Sequence, residues 1–177
     1  MKSLWAPWRL PYLKSTKPHH CIFCVDKPAD DRRRYILHRG PSTFIIMNVY
    51  PYSNGHLMVA PYAHASDLDA LSSVALSELL VTTKLAITVL QVVYTPQGFN
   101  VGINLGKAAG AGIEEHLHVH IVPRWNGDTN FMSTVADLRV IPEDLRHAYD
   151  QLLPEFRKRG RTGRPRPGRP ARPKRRS

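Results

Sequence analysis

A chain of 177 residues with 42% hydrophobic side chains suits one domain of ordinary size and can bury a core, so disorder along its whole length is excluded. Its formal charge of +11 is lopsided: residues 157–177 hold eleven Lys or Arg and no acid, which leaves residues 1–156 formally neutral. Two cysteines exclude a disulfide-built scaffold, and Arg9 with Pro7 and Pro11 breaks the apolar N-terminal stretch that a signal peptide would need. No stretch reaches the roughly 18 apolar residues of a membrane span, so a reducing, cytoplasmic setting is expected.

In chain order, residues 1–20 read as an aromatic, Pro-broken arm carrying Trp5 and Trp8, and 21–24 form a Cys-x-x-Cys knuckle. Strands are expected at 35–38 and 43–49, then a turn at 51–55 (Pro-Tyr-Ser-Asn-Gly) and a third strand at 56–60. Between 72 and 94, Leu76, Leu79, Leu80, Ile87, Leu90 and Val93 recur at helical spacing until Thr95-Pro96 stops the helix. A fourth strand at 99–105, a glycine-rich loop at 106–112, a fifth strand at 116–122 and a helix from 143 to about 157 complete the domain. A strand meander, a helix and further strands favour α+β with an antiparallel sheet of about five strands over a doubly wound parallel one. The domain is expected to end at 156, with 157–177 a disordered Arg/Pro/Gly tail suited to non-specific contact with nucleic acid or another polyanion.

The segment His116-Leu117-His118-Val119-His120 carries the chemistry. On a strand, side chains alternate, so three imidazoles share one face while Leu117, Val119 and Ile121 share the core face; a helix would scatter them. Three readings of the imidazole row compete: a polar face that is His-rich, a metal pair, or nucleophilic catalysis at phosphorus. His116 and His120 lie roughly 13 Å apart on an extended strand, so all three cannot bind one ion. A neutral imidazole is a good nucleophile near neutral pH, and its neighbours can hold phosphate oxygens or serve as acid. Glu114 and Glu115, adjacent on a strand, point to opposite faces and do not form a carboxylate dyad.

This strand, continued by Ile121-Val122-Pro123-Arg124-Trp125, resembles the signature of the histidine triad family of nucleotide hydrolases and transferases. Asn48, the 51–55 turn and His56-Leu-Met-Val-Ala-Pro61 resemble the family's first half, and residues 125–131 resemble its bacterial diadenosine-polyphosphate branch. The resemblance covers most of 5–155. It implies that His118 attacks the α-phosphate and carries a transient nucleotidyl group, that His120 contacts phosphate and leaving group, that His56 supports them, and that Asn48 touches ribose. It implies cleavage of dinucleoside polyphosphates, with phosphorolysis slightly ahead of hydrolysis, and a homodimer. A divalent cation would enter with the polyphosphate rather than in a protein cage. Two rivals stand beside it: a nucleoside phosphoramidate hydrolase of the same fold, and a polyanion-binding module acting through the basic tail.

A structural zinc needs four Cys or His ligands, so Cys21 and Cys24 need two histidines. Zinc-bearing relatives imply His64 and His116, with His19 and His20 as rivals. The glycine-dense stretch 98–112 is either a hairpin connection or a phosphate cradle, with Asn104 and Lys107 as side-chain donors and Gly110, Ala111 and Gly112 as backbone donors. Gly112 stands where many relatives carry Gln or Ser, which removes a side-chain donor. Phe44, Ile46 and Met58 either line an apolar slot for the base or are plain core.

Overall fold

The computed structural model describes residues 21–25, 28–128 and 143–162. The arm, His19, His20, the segment 129–131 and the tail beyond Thr162 lie outside the described residues. Five strands, β1 (Ile36–Arg39), β2 (Thr43–Met47), β3 (Leu57–Pro61), β4 (Gly98–Ile103) and β5 (Val119–Arg124), form one antiparallel sheet in the order β1-β2-β3-β5-β4. Helix α1 (Ser73–Tyr94) follows β3, and α2 (Leu145–Thr162) closes the described chain. The α+β reading holds.

The register sorts side chains into two faces. Ile45, Val59 and Val119 pair across β2, β3 and β5, as do Met47, Leu57 and Ile121; all are buried with Leu79, Ala86, Val89 and Leu90 of α1 and Ala148, Tyr149, Leu152 and Phe156 of α2. The opposite face carries the row Ile36, Ile46, Met58, His120 and Gly102. Phe23 of the knuckle and Val25 just after it pack there against Ile36, Phe44, Ile46, Met58 and Ala60. Both faces of β2 and β3 are therefore covered, which is why these strands read as continuous apolar runs.

Several boundaries differ from the sequence expectation, most of them by one or two residues. β5 begins at Val119, so His116 and His118 precede the ladder, and it runs on through Pro123 to Arg124. Pro123 is tolerated because pairing with β3 ends at Ile121 and the strand has only β4 beside it there. Glu114 and Glu115 lie exposed in a turn, off the strand. Helix α2 continues to Thr162, past the expected end at 157, because Arg and Lys are good helix formers and Glu155 pairs with Arg159 on the next turn.

Helix α1 is long and apolar enough to cross a membrane by length and composition, contrary to the sequence expectation. Glu78 and Lys84 interrupt it, and its inner face is the core of the domain. Ser72 caps its start, accepting from the Ala75 N–H at 3.2 Å, and Glu78 accepts from the backbone N–H groups of Ser42 and Thr43, tying the helix to the β1–β2 turn. Gly55 is required at the turn into β3: its φ is +68°, and an added Cβ would sit 2.9 Å from the Tyr94 ring. That close approach sets the entry of the next residue, His56, into the sheet.

Candidate active site and metal-ligand cluster

Fixed backbone partners decide the tautomer of each buried imidazole. His118 Nδ1 lies 2.8 Å from the carbonyl of His116, which can only accept, so Nδ1 carries the hydrogen and Nε2 the lone pair. His56 Nδ1 accepts from the Tyr52 backbone N–H at 3.1 Å. Asn48 Oδ1 accepts from the Tyr50 N–H at 2.8 Å, which turns the Asn48 amide nitrogen towards the same His56 Nδ1, 3.4 Å away. His56 therefore donates through Nε2 to His120 Nδ1 at 3.0 Å, and the N–H of His120 stands on Nε2. The rings of His118 and His120 meet edge-on at 4.8 Å. One face thus presents a lone pair on His118 Nε2 beside an N–H on His120.

Burial keeps these rings neutral. It lowers His56 to about 3, with His120 and His118 adding to the effect, and His120 to about 4, with His118 adding. His118 is lowered by burial too, partly offset by its bond to the His116 carbonyl.

Cys21, Cys24, His64 and His116 come together with all four ligand atoms within 4.8 Å of one another. Cys21 Sγ is 3.4 Å from His116 Nδ1, and Cys24 Sγ is 3.4 Å from His64 Nδ1. A tetrahedral zinc with ordinary Zn–S and Zn–N bonds places such atoms about 3.5 Å apart. His116 donates from Nε2 to the Pro61 carbonyl at 2.8 Å, so its lone pair on Nδ1 faces the cluster, the orientation a metal ligand requires. The donor set and its geometry fit a structural zinc.

The other expected residues are placed less directly. Ile46 and Met58 are buried beneath Phe23 and Val25 beside His120, so they form the floor of this face, together with Phe44. Asn104 is half-buried just past β4, and the register pairing Ile103 with Val119 brings it level with His118. Lys107 is exposed on a 3-10 turn, Lys107–Ala109. The N–H groups of Ala109, Gly110 and Ala111 turn back to the carbonyls of Gly106 and Lys107. The turn uses Gly106 and Gly110 at φ values of +77° and +85°, and Gly112 is exposed beyond it.

Sequence reasoning missed three groups. The Tyr52 ring lies 4.8 Å from His56 and 6.1 Å from His120; only its place in the turn before His56 hinted at it. Phe23 stacks 4.6 Å from His118, and Arg34 donates to the carbonyls of Ile22 and Cys24, bracing the knuckle.

Residues 32–127, more than half of the chain, match the family model described as the HIT domain. The chain belongs to the HIT family. It is 39% identical over 165 residues to a protein of Mycobacterium tuberculosis (strain ATCC 25618 / H37Rv) named AP-4-A phosphorylase, spanning 88% of this chain and 85% of that one. A histidine triad nucleotide-binding protein from Sulfolobus tokodaii superposes with TM-score 0.62 at 26% identity, over 81% of this chain and 96% of that one. A Zn-bound histidine triad family protein from Mycobacterium smegmatis shares the fold, with TM-score 0.62 at 24% identity over 80% of this chain and 96% of its own.

The neutral histidine pair of this HIT domain gives stability a defined pH dependence. Unfolded histidines titrate near 6.5, whereas folded His56 and His120 stay neutral down to about 3 and 4. As pH falls, the unfolded chain takes up protons first, so their contribution is complete above roughly pH 6.5 and lost as pH falls towards about 4. Denaturant midpoints should fall in order at about pH 7, 5.5 and 4.5, and His56→Asn should flatten that slope while lowering the neutral-pH midpoint. An equally steep slope in His56→Asn would show that this pair does not set it.

Proposed function

We propose that this HIT-family enzyme cleaves dinucleoside polyphosphates of the diadenosine tetraphosphate type by nucleotidyl transfer to His118. The observation that carries the reading is the pairing of a lone pair on His118 Nε2 with an N–H on His120 Nε2, both set by backbone hydrogen bonds. The likeness to AP-4-A phosphorylase supports the substrate class. His118 Nε2 attacks the α-phosphorus, and the bond from phosphorus to the bridging oxygen breaks. His120 Nε2–H donates a hydrogen bond to the departing polyphosphate oxygen, which leaves with the electron pair. His56 acts behind His120, holding its Nδ1 as an acceptor so that the hydrogen stays on Nε2. Asn48 orients His56, and ribose contact would require its amide to be shared. An oxygen of inorganic phosphate then attacks the adduct, the N–P bond breaks and its pair returns to Nε2.

Water as acceptor is the second reading: three N–H groups at 109–111 are engaged within the turn, so an anion held there must first displace those bonds. Product identity separates the two. In saturating phosphate, diadenosine tetraphosphate should give ADP and ATP; AMP and ATP at a phosphate-independent rate would make the enzyme a hydrolase. His118→Ala should lower turnover by several powers of ten, about what loss of a nucleophile costs, and near-parental turnover would refute the adduct.

Cys21, Cys24, His64 and His116 would hold zinc with no open position, a structural role that fastens the knuckle to the segment leading into β5. Metal analysis of freshly purified, reduced protein should find about one zinc per chain, and Cys24→Ser should lower both zinc content and melting temperature. Zinc-free protein with an unchanged melting temperature would remove the metal from this account.

We infer a homodimer that uses the outer face of α1. Val74, Leu80, Val81 and Val92 of α1 are exposed, and the edge strand β4 exposes Val101. Light scattering should give twice the chain mass, and Leu80→Glu with Val81→Glu should give the monomer. A parent protein that is already monomeric would rule this face out.

A further inference from the structure

Phe23 sits between the two cysteines of the knuckle and is completely buried, although Ile22 and Cys24 on either side of it are exposed. The knuckle turns through the Cys24 N–H to Cys21 carbonyl bond, and Arg34 donates to the carbonyls of Ile22 and Cys24, so the turn is braced from outside. Phe44, Ile46, Met58 and Ala60 support it from the sheet. Held this way, the Phe23 ring lies 4.6 Å from the ring of His118 at a tilt of 31°. It also lies 5.3 Å from His116, tilted by 47°.

We infer that Phe23 is a positioning residue for nucleotidyl transfer, its π face stabilising the cation that forms on His118. This rests on the proposed role of His118 as nucleophile. When the Nε2 lone pair forms the N–P bond and the bridging P–O bond releases its pair to the polyphosphate, Nδ1 keeps its hydrogen in the bond to the His116 carbonyl. No proton leaves the ring, so a neutral imidazole becomes a cation. A cation within about 6 Å of an aromatic centroid is attracted by the ring quadrupole, more strongly where water is excluded. The neutral ring of the resting enzyme feels little of this attraction. The contact therefore acts on the transition state and adduct, and its loss lowers kcat without raising KM. A plain apolar plug would instead act through stability and metal content.

The test replaces Phe23 in the full chain, as purified, by mono-, di- and trifluorophenylalanine, which weaken the quadrupole at nearly constant shape. Phe23→Leu removes the π face while keeping apolar volume. Two rates are read: phosphorylation of His118 by phosphoramidate, a donor without a nucleoside, and turnover of diadenosine tetraphosphate. Metal content and melting temperature serve as controls. Both rates should fall stepwise with fluorination, reaching about a tenfold loss in the trifluoro protein and in Phe23→Leu, with KM and metal content unchanged. Rates independent of fluorine content would overturn the inference. Graded phosphoramidate labelling in a protein that cleaves no dinucleotide would sustain Phe23 and refute the proposed substrate. A parent protein that phosphoramidate does not label and that cleaves no dinucleotide would overturn both.

Discussion

One hydrogen bond, from His118 Nδ1–H to the carbonyl of His116, decides which nitrogen of the central imidazole offers a lone pair. It exists because the chain joins the sheet only at Val119. Were His116 and His118 within the ladder, the His116 carbonyl would be directed at a neighbouring strand; with β5 starting at Val119 it is available to a side chain two residues on. The same irregular stretch lets the Leu117 N–H reach the Ala65 carbonyl, anchoring the segment while Leu117 enters the main core. A shorter strand is thus what fixes the chemistry of the face, and His116 is bound at three points: its carbonyl by His118, its Nε2–H by Pro61, its Nδ1 by the cysteine cluster.

The two faces of the sheet are stabilised by different physics. Towards the helices, burial of Ile, Leu and Val supplies roughly 25 cal/mol per Å² of apolar surface and needs no orientation. Towards the knuckle, imidazoles are buried among aromatic and aliphatic side chains, and an unpaired ring nitrogen there would cost about 1–3 kcal/mol. That face is tolerable only because the nitrogens turned inwards have partners, and those partners run in one direction: Tyr52 N–H to His56, His56 to His120. Directionality imposed by backbone groups is what a proton-handling site needs, since no side chain has to reorganise to define it.

The period of two was legible in the sequence because Leu117, Val119 and Ile121 alternate with the histidines, and the core side of that alternation survives even where the ladder does not. The helix stop at Thr95-Pro96 was legible from local chemistry in the same way. What could not be read was anything fixed by contacts distant in the chain. Cys21 and His116 are 95 residues apart, and spacing alone leaves His19, His20 and His64 equally available to a Cys pair. Phe23 illustrates the limit: between two cysteines it looks like filler, and only the fold brings it to His118. Ile46 and Met58 were ambiguous between slot and core because the sequence does not reveal what packs over them.

The glycine loop bears on the choice of acceptor through its own hydrogen bonds. Glycine content suggests backbone donors aimed outward, yet the positive φ at Gly106 and Gly110 closes a turn in which the N–H groups of Ala109, Gly110 and Ala111 point back to the loop's own carbonyls. An anion that recruits those three groups must first break three neutral bonds, each contributing about 1 kcal/mol net. Each charge-assisted bond gained contributes roughly 1.5–3 kcal/mol, so the exchange is favourable by about 0.5–2 kcal/mol per group and grows with the number of groups engaged. Water needs no such opening. An anion held by this loop would displace the turn's own bonds, with Lys107 exposed on the same turn. A water acceptor would leave those bonds in place, and Gly112, lacking a side-chain donor, leaves anion contact in this stretch to the backbone, Asn104 and Lys107.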